Sequence, residues 1–570
     1  MIEPHASPND LAQAGWADIE PHYERLATSP LDDVEAWLHD WSRFEELLGE
    51  AHSLALVAYT CDTADPGREE AQLRFSRDIA PRAREQNVRL ARRLLETGYS
   101  TPRLEPQLRR FRNQEGLFRD ANVPLFGELA SLSTAWQKLA GGLTATWEGR
   151  AVPLPALRVH EASGDRAVRE RACRLHAEAV LARRDEIADI FDEQVRLRRE
   201  VASNAGFASY RDYAHAEKNR FSYTPADCAR FHDSVERTVV PAIQRILDRR
   251  RVRMGLDALR PWDTVDGMYG TADPLGRPPL RPFASGGELV PWMQAIFTRV
   301  DPVFGRYFET MRAEDLLDLD SRPGKAPGGY CTSFPFRRRP FIFMNATGMD
   351  SDIRTLLHEG GHAFHSFETY TSQSLQFLRH PGAEMAEVGS MGMELLAAPF
   401  LGREAGGFYD PADERRSRVS HLEGILFGLA HIATVDAFQH WIYTSDEGRD
   451  RDARDRHWAA LCDRFKPGVD WSGPTDWRTA RWLAQPQFHT HPFYYVEYGI
   501  AQLGALQVWR NSLRDHGEAV GAYREALALG ATRPLPELYA TAGARLVFDP
   551  EPVGELVALV EEHLAELLAD

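Results

Sequence analysis

Apolar residues recur three and four positions apart along most of the chain, the spacing that lines one face of an α-helix. Trp37, Leu38, Trp41, Phe44 and Leu48 form one such stripe, and Val553, Leu556, Val557, Val560, Leu564, Leu567 and Leu568 form another. Both predict helices that turn an apolar face to a core. Alternation with period two is scarce, and the best extended candidate is Pro340-Phe341-Ile342-Phe343-Met344-Asn345. The stretch from Leu259 to Phe283 is rich in proline and glycine and predicts a long irregular excursion between helices. Arg249, Arg250, Arg251 and Arg253 close a predicted helix, where cations suit the C-terminal dipole, and read as a solvated face. The expected class is mainly α with a small β element.

Length changes this picture by asking for more than one core: 570 residues predict two or more subdomains. A hydrophobic content of 43% marks a globular chain. Net charge, 67 basic against 84 acidic residues or -17, argues against nucleic acid and anionic membranes as partners and disfavours acidic substrates over the general surface. Cys61, Cys173, Cys228, Cys331 and Cys462 are odd in number and never spaced as CxxC, so free thiols in a reducing compartment are expected. The first forty residues lack the basic and apolar regions of a secretory leader, and Leu54 to Tyr59 is one of the more continuous apolar runs. A cytoplasmic location is the resulting expectation.

Candidate chemistry concentrates in His358-Glu359-Gly360-Gly361-His362. Residues i and i+4 share a helix face, so both imidazoles can reach one tetrahedral cation while Glu359 holds a water beside it. Ser351 offers an N-cap, and Ile353, Leu356, Leu357, Phe364 and Phe367 supply the apolar side of that helix. Two glycines inside a helix cost up to about 2 kcal/mol of propensity, which predicts close approach by another helix or by substrate. The nearby 340–345 strand is either an edge rail for a substrate backbone or a short buried strand without a ligand role.

Two histidines and a water leave zinc one protein ligand short. A metzincin needs glycine at 365 and histidine at 368, where the chain has His365 and Glu368. Thermolysin-like and aminopeptidase-like spacings need a glutamate near 382 or 381, where it has Gly382 and Pro381. The next acidic cluster holds Glu384, Glu387 and Glu394, and the ligand could be any of the three. Glu387 and Glu394, seven residues apart, share one side of a second helix, so one can bind metal while the other orients a histidine.

The chain resembles the thimet oligopeptidase and oligoendopeptidase F family of zinc peptidases. The motifs that carry the resemblance are HEGGH followed by His365, Glu387-Val388-Gly389-Ser390 starting 29 residues after His358, and Glu394. Leu259 to Asp263, Gly328 to Cys331, Pro340 to Phe343 and Pro492 to Leu503 add to them. Residues before about 200 match only in helical character, giving an N-terminal helical region at 1–200 and a catalytic domain at 201–570 as the expected organisation.

The resemblance implies one Zn2+ per chain held by His358, His362 and Glu387, with Glu394 supporting them from behind and His365 structural. It also implies a two-lobed helical shell around a deep channel that admits short unstructured oligopeptides. Glu359 would act as general base, and a tyrosine or histidine would steady the oxyanion. Tyr498 matches the family's tyrosine. Where the family has a histidine near position 487 this chain has Gln487, so Tyr498 is the first expected donor and His489 or His491 the second. The leading expectation is an endopeptidase acting on oligopeptides. A metallocarboxypeptidase or dipeptidyl carboxypeptidase is the alternative, and a non-catalytic peptide-binding protein is a third. Oligomeric state is not encoded in these features.

Overall fold

A computed structural model describes residues 7–264, 273 and 276–569. The chain is mostly helical, and among the described residues no helix is long and apolar enough to cross a membrane. It forms two compact units, each assembled from three stretches: 1–116, 280–414 and 504–546 make the first, and 117–279, 415–503 and 547–570 the second.

In the first unit, the Val34–Cys61 helix starts at Asp33, whose side chain accepts from the Ala36 amide at 3.0 Å. Its predicted stripe is buried, and Trp37, Leu38, Trp41, Phe44 and Leu48 all join one apolar cluster with Tyr23, Phe75 and Phe111. A three-stranded sheet lies in the same unit: β3 (Leu317–Asp320), β4 (Tyr330–Phe334) and β5 (Arg339–Ala346), in the order β3-β5-β4. Two further strands, β1 (Thr144–Trp147) and β2 (Arg150–Pro153), form a hairpin in the second unit.

The expected extended segment at 340–345 is therefore real, but as an edge rail it is corrected. It lies in β5, paired parallel to β3 on one side and antiparallel to β4 on the other. With both backbone edges occupied, β5 has none left for a substrate, and β3 and β4 are the strands that border the sheet.

Two helices follow β5 in the first unit, Asp350–Ser372 and Ala383–Ala397, and they pack against each other. The first carries HEGGH. Its start differs from the expected Ser351 cap: Ser351 sits inside the first turn, and Asp352 reaches back to accept from the Met349 and Thr347 amides at 2.9 and 2.7 Å. Ile353, Leu356, Leu357, Phe364 and Phe367 are buried as the periodicity predicts.

Among the described residues, the second unit is helical apart from its hairpin. It contains Arg184–Asn204, Pro225–Ser234, Val240–Arg253, most of Pro411–Thr444, and Pro550–Ala569. The last buries Val553, Leu556, Val557, Val560 and Leu564, while Leu567 and Leu568 stay partly exposed. The arginine run is not wholly solvated: Arg250 is buried and ion-paired with buried Glu423, because Ile246, Leu247 and Arg250 share the inward face of their helix. Of the irregular 259–283 stretch, residues 265–272, 274 and 275 lie outside the described residues. Its start is a 3-10 turn, Pro261–Asp263, in which buried Asp263 accepts from Arg166 at 2.8 and 2.7 Å and from Arg169 at 3.1 Å.

Candidate metal centre

The glycine pair explains how two helices come close enough to share a site. A Cβ built on Gly361 would lie 2.5 Å from the Gly389 carbonyl oxygen and 2.7 Å from Ser390 Cα, so the Ala383–Ala397 backbone runs directly over this point. A Cβ on Gly360 would meet the Phe297 ring at 2.6 Å. Helix approach, one of the two expected reasons for the glycines, is the one realised. Tyr523 fastens the crossing by donating to the Gly389 carbonyl.

That approach brings together three donors. Nε2 of His358 stands 3.3 Å from Oε2 of Glu387, and Nε2 of His362 stands 3.6 Å from the same oxygen. The ligand atoms of His358, His362 and Glu387 all lie within 4.8 Å of one another. Tetrahedral ligands about 2.0–2.1 Å from a zinc ion are separated by roughly 3.3 Å, close to the distances of 3.3 and 3.6 Å from the Glu387 oxygen to the two imidazoles. Of the three open glutamates, Glu387 is the one facing both rings.

Behind the donors, Glu394 accepts from Nδ1 of His358 at 2.8 Å, which fixes a proton on Nδ1 and leaves Nε2 as the nitrogen turned toward Glu387. Ser390 donates to Glu387 Oε2 at 2.8 Å, a contact the sequence reading missed although Ser390 lies one turn along the same helix. Glu384, the remaining open candidate, is absent from the donor group.

The electrostatics ask for a cation. Burial opposes charge on His358, but the hydrogen bonds and charges of Glu387 and Glu394 outweigh it and raise its pKa well above the ordinary imidazole range. His362, which lacks a second carboxylate contact of that kind, is pushed by burial down to about 4. Burial likewise works against the Glu387 anion, yet His362, His358 and Ser390 together hold its pKa below the usual value. Carboxylates gathered around two imidazoles in a buried place are the donor chemistry of a divalent metal site.

Glu359 is buried beside this group, and burial pushes its carboxyl up to about 7 against the opposing pull of His358. The backbone N–H of Cys331 on β4 faces that carboxylate. His365 packs over Gly389 with its ring driven down to about 3 by burial, hence neutral and uncharged.

The second unit carries the remaining expected residues. His489 is fully buried, stacks on Trp136 with ring centroids 4.6 Å apart, and engages Gln194 Oε1 at 3.1 Å and the Leu483 carbonyl at 3.2 Å. Both ring nitrogens are thus occupied, a packing role that speaks against donation to a substrate. His491 is exposed, with Nδ1 2.9 Å from Thr490 Oγ1. Tyr498 is half-buried, its hydroxyl 3.4 Å from that of Tyr494 and the two rings edge to face. Gln487 accepts from Gln485.

The model of Peptidase family M3 matches residues 159–551. Oligopeptidase PepF of Bacillus subtilis (strain 168) is 24% identical over 253 residues, 44% of the chain, and the match covers 37% of that relative's length. Among solved structures, PZ peptidase A with an inhibitor superposes with a TM-score of 0.86 at 24% identity, over 97% of this chain and 98% of that one. A structure provisionally described as an oligoendopeptidase F gives 0.84 at 25% identity, over 99% and 98%.

Proposed function

The chain belongs to peptidase family M3, and from that premise we propose that it is a zinc-dependent endopeptidase that hydrolyses internal bonds of short, unstructured oligopeptides. One observation carries the reading: His358, His362 and Glu387 present their ligand atoms within 4.8 Å of one another, with Glu359 buried alongside. His358, His362 and Glu387 would hold one Zn2+, and Glu394 would keep His358 in the tautomer that can ligate. When bound, zinc supplies Lewis-acid chemistry, acidifying a water and polarising the scissile carbonyl.

The chain's own residues do the proton work. Glu359 accepts the proton of the attacking water on its carboxylate, keeps it while the carbon becomes tetrahedral, and delivers it to the departing amine. Burial raises its carboxyl above the ordinary carboxylate range, the direction that favours a base which must later give its proton back. Tyr498 donates to the oxygen that gains charge, with His491 second in line, because His489 has both nitrogens engaged. Five free thiols support a cytoplasmic location.

Mass spectrometry of a mixed pool of oligopeptides incubated with zinc-loaded protein tests the reading. Internal cuts confined to shorter peptides, lost on chelation and lost in Glu359→Gln with metal content unchanged, are the expected result. Stepwise trimming from the C-terminus would replace it with a carboxypeptidase. No cleavage by metal-loaded protein would overturn the catalytic reading altogether.

A further inference from the structure

A second group of metal-type donors lies in the second unit, built from two helices that each contribute a pair four residues apart. On Pro225–Ser234, Thr224 and Asp227 form a reciprocal cap, and Cys228 and His232 follow on one face. On Pro411–Thr444, Asp436 and His440 share a face in the same way. The ligand atoms of Cys228, Asp436 and His440 lie within 4.8 Å of one another. Nε2 of His232 is 2.8 Å from Asp436 Oδ2, and Nε2 of His440 is 3.3 Å from the same oxygen. The two imidazoles stand edge to face, 5.4 Å between centroids.

An independent observation says that this cluster is not complete by itself. Asp436 has no solvent exposure, yet its Oδ1 has no hydrogen-bond partner. A buried carboxylate oxygen left unpaired keeps an uncompensated desolvation penalty, and native structures seldom leave one without a reason. Protein cations nearby are already engaged. Arg220 is held by Glu497 at 2.7 Å and by the Phe493 carbonyl, and Arg464 is held by Asp233 and Glu236.

We propose that Cys228, Asp436 and His440 form a second binding site for a divalent cation of the zinc class, with His232 positioning the Asp436 carboxylate through Oδ2. Thiolate, imidazole and carboxylate together are a borderline-soft donor set that suits zinc, cobalt or nickel and not magnesium or calcium, which take oxygen ligands. The arrangement repeats in outline the logic of the first site, where a carboxylate fixes a histidine, but here a histidine fixes a carboxylate. His440 keeps 15% of its side chain exposed, giving an ion a way in. Burial raises the Cys228 thiol in the absence of a cation, and a bound divalent ion reverses that by taking the thiolate as ligand. The role that follows is structural, a staple between two helices distant in sequence.

Cobalt substitution separates this site from the first, whose donor set contains no cysteine. The full-length protein is stripped with a chelator and reloaded with Co2+, and the near-ultraviolet thiolate-to-cobalt charge-transfer band is followed together with metal content. Two ions per chain and a clear band are expected for the parent. His358→Ala with His362→Ala should lose one ion and keep the band, whereas Cys228→Ser should lose the band. Should Cys228→Ser fold poorly, X-ray absorption of the as-purified His358→Ala/His362→Ala protein gives the same answer through a sulfur scatterer at about 2.3 Å from zinc. One ion per chain with only nitrogen and oxygen neighbours, or a band that survives Cys228→Ser and disappears in Cys331→Ser, would overturn the proposal.

Discussion

Glu394 touches no substrate in the proposed reaction, but its carboxylate decides which nitrogen of His358 carries the proton. Glu394→Ala should therefore leave the fold intact while weakening metal affinity by about 10–100-fold, measured by competition with a chromogenic chelator. Unchanged affinity would mean that the Nδ1 contact does not matter to ligation. Tyr498 and His489 invite the opposite comparison. Tyr498→Phe should lower kcat by about 10²-fold or more with little change in thermal stability, as expected for a lost oxyanion donor. His489→Ala removes a ring stacked on Trp136 and two polar contacts, so it should cost about 2–4 kcal/mol of stability while the folded fraction turns over at the parent rate. Unfolding curves and kinetics on the same samples distinguish the two residues, and a kinetic defect without destabilisation in His489→Ala would reinstate it as a donor.

At the scale of elements, the metal centre depends on a crossing that tolerates nothing larger than hydrogen at Gly361. Gly361→Ala drives a methyl into the Gly389 carbonyl and the Ser390 backbone, neither of which can rotate away. It should cost about 1–3 kcal/mol or more and also weaken metal binding, because Glu387 moves with its helix away from His358 and His362. Gly360→Ala presses on the Phe297 ring instead, a side chain that can shift, so its loss should be in stability more than in metal affinity. Calorimetry with and without chelator reads both. This crossing also marks what was legible beforehand. The helices, the burial of Ile353, Leu356 and Phe364, and the face shared by His358 and His362 follow from periods of three and four residues, which are local. The sheet order was not legible: whether 340–345 lies at the edge or the centre depends on β3 and β4 partners that periodicity cannot see. Arg250 was misread for the same reason, its partner Glu423 being far along the chain. Cys228 with His232 and Asp436 with His440 are each unremarkable helical pairs, and only folding sets them face to face.

The whole molecule adds a property that belongs to no single residue, an excess of 84 acidic over 67 basic side chains. A net charge of -17 produces a negative field that reaches about a Debye length from the surface, about 8 Å at physiological ionic strength and about 30 Å at 0.01 M salt. Part of that charge lies at the proposed reaction centre, where Glu387 and Glu394 are among the 84 acidic residues. Peptides with basic flanks should therefore be cleaved faster than otherwise identical peptides with acidic flanks, through encounter and binding, so that the difference lies in kcat/KM and not in kcat. Because the effect is a long-range field, it should shrink as salt rises from about 0.01 M to about 0.5 M, whereas a preference set by one side-chain pocket would persist. Measuring kcat/KM for Lys-flanked and Glu-flanked versions of one cleaved sequence across that range decides between them. A ratio that stays constant with salt would place the preference in local contacts, and equal rates at low salt would show that the net charge is spread where substrate does not approach.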